Sequence, residues 1–191
     1  MRIIGGRHKG RRLRAPADRR IRPTSDRLRE TLFNILAHEA RALPAGAVVA
    51  DLFAGTGALG LEALSRGAAH VFLIDNYPAA LALARANVAL LGEGKAVSLI
   101  KADATRLPPA RPPGPCDLLF LDPPYHSGLA GPTIAAARAG GWLAEGGLIV
   151  AELARDEALP EGVTPARERI VGDSRLVFLA PAEQAFDIGQ L

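Results

Sequence analysis

Residues 48–60 read Val48-Val49-Ala50-Asp51-Leu52-Phe53-Ala54-Gly55-Thr56-Gly57-Ala58-Leu59-Gly60. The apolar start predicts a buried β-strand, and the three glycines fit the spacing G-x-G-x-x-G ahead of a helix. Glycines at these positions permit a tight turn and let a bound molecule approach the backbone closely. The stretch therefore predicts the first strand, turn and helix of an α/β sheet that binds a nucleoside-containing cofactor.

The rest of the chain continues this alternation of strands and helices. Apolar periodicity predicts helices at 25–42, 57–67, 78–91 and 129–143, and strands at 47–52, 70–75, 96–101, 117–121, 147–153, 167–171 and 175–180. Thr24 or Ser25 can cap the first helix. Because the strands are almost continuously apolar, we expect a parallel sheet covered by helices on both faces, which is an α/β fold.

Composition favours one globular domain. The chain has 191 residues, of which 49% are hydrophobic and 23% charged. A single cysteine, Cys116, excludes an internal disulfide framework and a multi-cysteine zinc site, and the four histidines show no metal-ligand spacing. We recognise no signal peptide and no apolar stretch of about 18 residues. We expect a cytoplasmic monomer that binds neither a metal nor a membrane.

Basic residues are concentrated at the N-terminus. Residues 1–29 contain 11 of the 23 Lys and Arg residues but only two of the 20 Asp and Glu residues, so the remainder of the chain is acidic. Such asymmetry indicates a polyanionic partner, because arginine makes forked contacts to phosphate and stacks on bases. A solvated basic tail is the alternative. Residues 2–15, interrupted by three glycines, predict a small basic hairpin or arm.

Three aspartates are predicted at the carboxyl ends of the first three strands, the edge at which open α/β sheets bind ligands. Asp75 lies 20 residues after Gly55, which suits hydrogen bonds to two ribose hydroxyls. A carboxylate at Asp51 would repel a pyrophosphate but attract the ammonium of a methionine moiety. Asp103 can accept from an adenine amino group, and a turn aspartate is the alternative. Together they favour S-adenosylmethionine over a nicotinamide dinucleotide.

The fourth strand ends in Asp122-Pro123-Pro124-Tyr125. This resembles the D/N-P-P-Y/F motif of methyltransferases that modify an amino group conjugated to a planar ring. Such an amine is a weak nucleophile, and acceptors for its two N–H bonds, the Asp122 carboxylate and the Pro123 carbonyl, would favour a pyramidal nitrogen. Prolines hold the turn without competing donors, and Tyr125 can stack on the base, worth about 1–3 kcal/mol. A purely structural Pro-Pro turn is the alternative.

Further blocks extend the resemblance over residues 1 to about 180. They are Met1–Gly6, Arg22–Asn34 and Asp51–Gly67. With Asp122–Tyr125 they resemble the RsmD family of 16S ribosomal RNA guanine-N2 methyltransferases. The Arg22–Asn34 block is the specific one, because the glycine turn fits any class I methyltransferase and the Asp-Pro-Pro-Tyr motif also fits adenine-N6 enzymes.

The resemblance implies a class I methyltransferase with a Rossmann-like, seven-stranded, mostly parallel sheet, and S-adenosylmethionine as cofactor. It implies guanine-966 of 16S rRNA as the target, on an assembled small subunit. Residues 1–22 would form a basic RNA-binding arm, residues 23–191 a single methyltransferase domain, and Arg22–Glu30 would lie over the cofactor.

The resemblance and the motifs together give three sets of candidate site residues. The candidates for catalysis are Asp122, Pro123 and Tyr125. The candidates for cofactor binding are Arg22, Thr24, Asp51, Phe53, Gly55, Gly57, Asp75, Asp103, Ala104 and Asp122. The candidates for RNA binding are Arg2, Arg7, Lys9, Arg11, Arg12, Arg14, Arg19, Arg20 and Arg22.

Other readings stay open from the sequence alone. A DNA adenine-N6 methyltransferase normally needs a separate target-recognition domain, for which this chain has no room. A non-catalytic, cofactor-binding ribosome assembly factor predicts a broken acceptor motif, and Asp51 disfavours a nicotinamide oxidoreductase. Residues Arg27, Arg29 and Glu30 could be a solvated helix face. We expect His126 at the pocket rim or exposed, and not as a general base.

Overall fold

The computed structural model describes residues 1–15, 25–39 and 44–180. In these parts of the chain the α-helices are α1 (Asp26–Glu39), α2 (Ala58–Ser65), α3 (Pro78–Leu91) and α4 (Ala130–Ala139). The strands are β1 (Val48–Asp51), β2 (His70–Asp75), β3 (Val97–Lys101), β4 (Cys116–Leu121), β5 (Leu143–Ala154), β6 (Arg167–Val171) and β7 (Ser174–Leu179). None of the described helices is both long and apolar enough to cross a membrane.

The seven strands form one sheet in the order β3-β2-β1-β4-β5-β7-β6. β1 pairs in parallel with β2 and β4, β2 with β3, and β4 with β5, whereas β7 is antiparallel to β5 and β6. The direction of winding reverses between β1 and β4, and a ligand crevice forms at the carboxyl ends of such strands. The predicted seven-stranded, mostly parallel, Rossmann-like sheet is confirmed.

Helices cover both faces of the sheet. α1, α2 and α3 pack on one face around a core that includes Leu61 and Phe120, and α4 packs on the other face with the buried Trp142. Phe33 of α1 meets Phe120 of β4 edge to face, with ring centroids 5.7 Å apart. The Trp142 indole N–H donates to the Pro108 carbonyl oxygen at 2.7 Å, which ties the proline-rich loop 107–115 that precedes β4 to the domain.

Most predicted elements agree with the structure to within two residues. Ser25 caps α1, because the Leu28 N–H donates to its Oγ at 3.1 Å. The predicted helix 129–143 ends earlier, at Ala139, where two glycines follow and Gly141 adopts a φ of 69° that favours glycine. β5 consequently begins at Leu143 and not at residue 147. Thr24 and the predicted end of α1 at residue 42 lie outside the described residues.

Residues 1–15 form a hairpin-like segment, called here the N-terminal hairpin, that packs against α2 and α3. Arg2 and Arg12 pair in an isolated antiparallel bridge. Ile3 and Leu13 are buried in the same core as α1, α2 and α3. The N-terminal hairpin is therefore integral to the packing of the domain. The predicted boundary between residues 22 and 23 lies outside the described residues.

A fully buried carboxylate joins the N-terminal hairpin to the helices. Glu62 of α2 accepts hydrogen bonds from the backbone N–H groups of Ile4 and Gly5 at 2.7 and 2.8 Å. The Arg66 Nε donates to the same carboxylate at 2.8 Å, and the Arg29 Nη1 lies 3.5 Å from it. This one side chain therefore connects the hairpin, α1 and the helix that follows the glycine turn.

Arg29 of α1 is completely buried. Its Nη2 donates to the Arg2 carbonyl oxygen at 2.8 Å and to Asp26 at 2.6 Å. A solvated helix face was the alternative interpretation of Arg27, Arg29 and Glu30. Arg27 and Glu30 are exposed, whereas Arg29 is in the interior.

Candidate functional site

A pocket lies where the winding of the sheet reverses, between the ends of β1 and β4. It is lined by the end of β1, the glycine turn, the start of α2 and the residue after β4, namely Asp51, Phe53, Ala54, Gly55, Thr56, Ala58, Leu59 and Asp122. Four of these, Asp51, Phe53, Gly55 and Asp122, are predicted cofactor contacts. The other four were missed, and their place inside or next to the glycine turn is the signal that could have identified them.

Glycine is required at the three positions of the turn for two different reasons, which are backbone conformation and close packing. Gly55 and Gly57 adopt φ values of 52° and 80°, in the left-handed region that favours glycine. Gly60 lies where α2 approaches β2, and a Cβ there would come within 2.5 Å of the Leu73 side chain. The first two glycines therefore permit the turn, and the third permits the close packing of α2 on β2.

The glycine turn is also held by side chains from β2 and α3. The Gly55 N–H donates to Asp75 Oδ2, and the Tyr77 N–H donates to Asp75 Oδ1, both at 2.8 Å. The Asn87 side-chain amide donates to the Thr56 carbonyl oxygen at 2.9 Å. Asp75 is half-buried at the carboxyl end of β2, next to the pocket that the turn forms.

Asp51 is the buried carboxylate of the pocket. Its Oδ2 accepts from the Gly60 N–H at 3.1 Å, whereas within the described parts of the chain its buried Oδ1 has no hydrogen-bond partner. Burial raises the pKa of this carboxyl to about 7, and the nearby charge of Asp75 adds to the rise. A buried carboxylate oxygen without a donor, at the edge of a pocket, fits a ligand that carries a cationic N–H group.

Asp103 caps the short 3-10 helix Ala104–Arg106 that follows β3. Its Oδ1 accepts from the Thr105 hydroxyl at 2.7 Å and from the Thr105 N–H at 2.9 Å, and Oδ2 accepts from Arg106 at 3.0 Å. The hydrogen bonds from Thr105 lower the pKa of this carboxyl. The Asp103 side chain therefore stabilises a turn, which was the alternative to a cofactor contact. Its contact with an adenine amino group stays a prediction.

Asp122 follows β4 directly and lies at the rim beside Asp51. β4 is buried from Leu118 to Leu121, and its Phe120 is opposite Asp51 in the parallel register. The strand therefore carries the Asp122 carboxylate to the edge of the sheet at which Asp51 lies, and both line the pocket. Asp122 is half-buried and Pro123 is buried.

The side chain of Tyr125 is held by two residues that sequence reasoning missed. Its hydroxyl donates to Glu152 Oε1 at 2.7 Å and lies 2.7 Å from Ser174 Oγ. The Ser174 hydroxyl donates to the same Glu152 oxygen at 2.9 Å. Glu152 and Ser174 are buried on the neighbouring strands β5 and β7. A charged residue within the apolar strand β5 is the signal that could have identified Glu152, whereas nothing marked Ser174.

His126 lies outside this arrangement. It has a φ of 55°, is exposed, and its Nε2 lies 3.6 Å from Asp156 Oδ1. The structure agrees with the expectation that this side chain is exposed. Across residues 1–15, 25–39 and 44–180, we find no group of three or more His, Cys, Asp or Glu side chains that could hold a metal ion.

The N-terminal hairpin presents a basic surface. All of its predicted RNA contacts are exposed, namely Arg2, Arg7, Lys9, Arg11, Arg12 and Arg14. Arg7 forms an ion pair with Glu93 at 2.8 Å. Within the described ranges, Lys9, Arg12 and Arg14 form no ion pair with a carboxylate. The predicted contacts Arg19, Arg20, Arg22 and Thr24 lie outside the described residues.

The N-terminal hairpin leads toward the pocket. The Arg14 N–H donates to the Asn87 side-chain oxygen at 2.8 Å, and the amide of the same Asn87 donates to the carbonyl of Thr56 in the glycine turn. Arg14 therefore lies one side chain away from the turn that lines the pocket. The basic surface and the pocket are neighbours on the molecule.

Comparison with known proteins relates most of the chain to one family. The family profile described as conserved hypothetical protein 95 matches residues 1–180. Ribosomal RNA small subunit methyltransferase D of Escherichia coli (strain K12) is 41% identical over 177 residues, which cover 90% of this chain and 85% of that protein. The protein of the same name in Haemophilus influenzae is 34% identical over 181 residues, which cover 90% of this chain and 89% of that protein.

Solved structures share the fold. A hypothetical protein of Thermus thermophilus is 30% identical, with a TM-score of 0.73 over 94% of this chain and 98% of that chain. An RNA methyltransferase of Salinibacter ruber, solved in complex with S-adenosyl-L-homocysteine, has a TM-score of 0.65 over 88% of this chain and 100% of that chain. At 16% identity this second structure is informative about the fold alone.

Proposed function

The chain belongs to the conserved hypothetical protein 95 family, which is the RsmD family, and we propose that it transfers a methyl group from S-adenosylmethionine to the exocyclic N2 of a guanine in 16S ribosomal RNA. The fold is that of a class I methyltransferase. The observation that carries the proposal is the position of Asp51 and Asp122 side by side in one pocket, one suited to a cofactor and the other to an amine.

The polar groups of the pocket fit S-adenosylmethionine. The buried Oδ1 of Asp51, which accepts no hydrogen bond from any described residue, would hold the ammonium of the methionine moiety. Asp75 would hold the ribose hydroxyls, and Asp103 and Ala104 would lie against the adenine. Gly55 and Gly57 would let the cofactor approach the backbone closely. When bound, the cofactor supplies an electrophilic methyl group on a sulfonium.

The residues after β4 would prepare the acceptor. The Asp122 carboxylate and the Pro123 carbonyl would accept the two N–H bonds of the amine, which directs its lone pair away from the ring. Tyr125 would stack on the base, with its hydroxyl held by Glu152 and Ser174. These residues hold and orient the amine, and such positioning is a large part of catalysis.

The RNA would bind across the N-terminal hairpin. Arg14 of the hairpin is connected to the glycine turn through Asn87, so an RNA strand that contacts the exposed arginines could present a base to the pocket. The relatives named ribosomal RNA small subunit methyltransferase D support a small-subunit RNA as substrate, and guanine-966 on an assembled subunit is the target that the family implies.

We expect the affinity for S-adenosylhomocysteine to rise between about pH 5.5 and 7 and then level off. Burial raises the pKa of Asp51 to about 7, so at lower pH the carboxyl is protonated and must lose its proton to hold an ammonium. Isothermal titration calorimetry across this range measures the effect. Asp51→Asn should bind more weakly and without this pH dependence. An affinity of the unmodified protein that does not change with pH would contradict this role of Asp51.

The raised pKa of Asp51 lowers the stability of the folded protein as the pH rises, whereas it strengthens cofactor binding over the same range. In the unfolded chain Asp51 ionises at its ordinary, lower pKa. Its contribution to stability is therefore fully present below about pH 4 and is lost as the pH rises through about 7. Unfolding in the absence of ligand separates this effect from the effect on binding.

We expect the double variant Arg12→Gln/Arg14→Gln to bind 16S RNA more weakly and with a shallower salt dependence. Each phosphate contact that is lost lowers the slope of log K against log salt by about 0.7–0.9. The control is Arg111→Gln, an exposed arginine in the loop before β4. An unchanged slope in the double variant would mean that the hairpin does not bind RNA.

The basic composition of residues 1–20 suggests their deletion as a test of RNA binding. Substitution of single arginines is the better test. A truncation would also remove the buried Ile3 and Leu13 from the core and the hydrogen bonds of Ile4 and Gly5 to Glu62. The loss of RNA binding would then be confounded with unfolding.

The activity is tested by incubating the protein with labelled S-adenosylmethionine and small ribosomal subunits that lack the modification. Digestion of the RNA and identification of the labelled nucleoside reports the base and the atom. Naked 16S RNA and DNA serve as the competing substrates. This separates the proposal from the adenine-N6 alternative, which the Asp-Pro-Pro-Tyr motif would also fit.

A further inference from the structure

The two carboxylate oxygens of Glu152 differ in their contacts. The side chain is 7% exposed. Its Oε1 accepts from Tyr125 and Ser174, whereas its Oε2 is buried and has no hydrogen-bond partner among the described residues. A buried carboxylate oxygen that lacks a donor costs free energy, and such an atom in a folded protein needs an explanation. One explanation that fits a catalytic site is a substrate N–H group that donates to this oxygen in the complex.

The register of the sheet brings this carboxylate next to Asp122. β4 and β5 are parallel, and Leu121 is opposite Ala151, so the next residues along the two strands are Asp122 and Glu152. Glu152 is two residues after Val150 in β5 and therefore faces the same side of the sheet, the side of the core under α1, α2 and α3. Asp51 faces the same side, because it bonds to Gly60 of α2. Asp51, Asp122 and Glu152 thus lie near the carboxyl ends of the three neighbouring strands β1, β4 and β5.

The target purine has a matching pattern of donors. The Watson–Crick edge of guanine carries N1–H beside the N2 amino group, so two adjacent donors point the same way. The corresponding edge of adenine has an amino group beside N1, which is an acceptor and would be repelled by a carboxylate. Enzymes that act on a base read this edge with hydrogen bonds once the base is out of its stack.

We propose that Glu152 Oε2 accepts the N1–H of the target guanine while Asp122 accepts an N2–H, and that Glu152 thereby selects guanine. This inference rests on the proposed function, because it names the base that the same site takes. Tyr125 connects the two roles, since its ring is predicted to stack on the base and its hydroxyl fixes Oε1 of Glu152. Oε2 is then the atom left to read the base.

The test uses a purine that keeps the reacting amine but lacks the N1–H. 2-Aminopurine carries the exocyclic N2 amino group, and its N1 is an acceptor. Small subunits with guanine or 2-aminopurine at the target position are compared as substrates by their kcat/KM. We expect the unmodified protein to prefer guanine by about 10-fold or more, because one well-placed hydrogen bond to a base discriminates to this extent.

Glu152→Gln supplies an amide that can donate to an acceptor N1. In this variant we expect the preference for guanine over 2-aminopurine to fall by about 10-fold or more. Ser174→Ala is the matched control, because it removes one hydrogen bond to the same carboxylate and leaves the charge in place. Its preference should stay that of the unmodified protein. Affinity for S-adenosylhomocysteine and the melting temperature report that each variant is folded.

Two outcomes would overturn the proposal. One is an unmodified protein that methylates 2-aminopurine as fast as guanine, which needs no variant to interpret. The other is a folded Glu152→Gln variant with an unchanged preference, which would reduce Glu152 to a support for Tyr125. A failure of the proposed function is distinguishable from both, because the unmodified protein would then methylate neither purine.

Discussion

Asp122→Ala is expected to lower turnover by about 100-fold or more while the affinity for S-adenosylhomocysteine stays within a few-fold. The carboxylate lies at the rim of the pocket and would accept an N–H of the amine, so its loss leaves the nitrogen lone pair delocalised into the ring. Asp51 is unchanged and still available for the cofactor. Single-turnover methylation of small subunits and calorimetric titration of the cofactor product measure the two effects separately.

Asp122→Asn is the matched control for this prediction. It keeps the volume and one side-chain oxygen acceptor, and the related motifs of this class begin with either residue. We therefore expect its turnover to lie between that of the unmodified protein and that of Asp122→Ala. If Asp122→Ala were folded and fully active, the acceptor role of this carboxylate would be untenable.

The substitution Glu62→Ala is expected to lower the free energy of unfolding by about 3–5 kcal/mol. Glu62 is fully buried and accepts from two backbone N–H groups of the N-terminal hairpin. Its removal would leave those donors unsatisfied and the guanidinium of Arg29 buried without its partner on α2. Equilibrium unfolding in urea, followed by circular dichroism, gives the change.

Asp26→Ala is the control for the loss of a carboxylate that also pairs with Arg29. Asp26 is 44% exposed, so water can replace it, and the cost should be about 1 kcal/mol or less. A Glu62→Ala midpoint equal to that of the unmodified protein would show that the hairpin is not anchored through this residue. An intermediate result for Glu62→Gln, which retains one acceptor oxygen, would support the hydrogen-bond explanation.

The sheet and the pocket could be predicted because their signals are local. The turn at Gly55 and Gly57 and the apolar runs before Asp51 and Asp122 fix the strand ends by themselves. In a parallel sheet the strand ends meet at one edge, so residues that are far apart in sequence become neighbours. Periodicity and turn chemistry were therefore enough to bring Asp51 and Asp122 to the same edge.

The supporting contacts could not be predicted because they depend on pairs of distant residues. Glu62 is separated by 58 residues from Ile4, and Tyr125 by 49 residues from Ser174. No periodicity links such pairs. The burial of Arg29 could not be predicted for the same reason, because the partners of a charged helix residue decide whether it is buried. The contacts of Asp103 are local by contrast, because its sequence neighbours Thr105 and Arg106 account for them.

The most direct measurement is the identity of the methylated nucleoside. The unmodified protein is incubated with labelled S-adenosylmethionine and small ribosomal subunits that lack the modification, and the RNA is digested to nucleosides. The account predicts that the label is recovered as N2-methylguanosine and that Asp122→Ala reduces it by about 100-fold or more. Label recovered as N6-methyladenosine, or no label in RNA with a protein that binds the cofactor, would contradict the account.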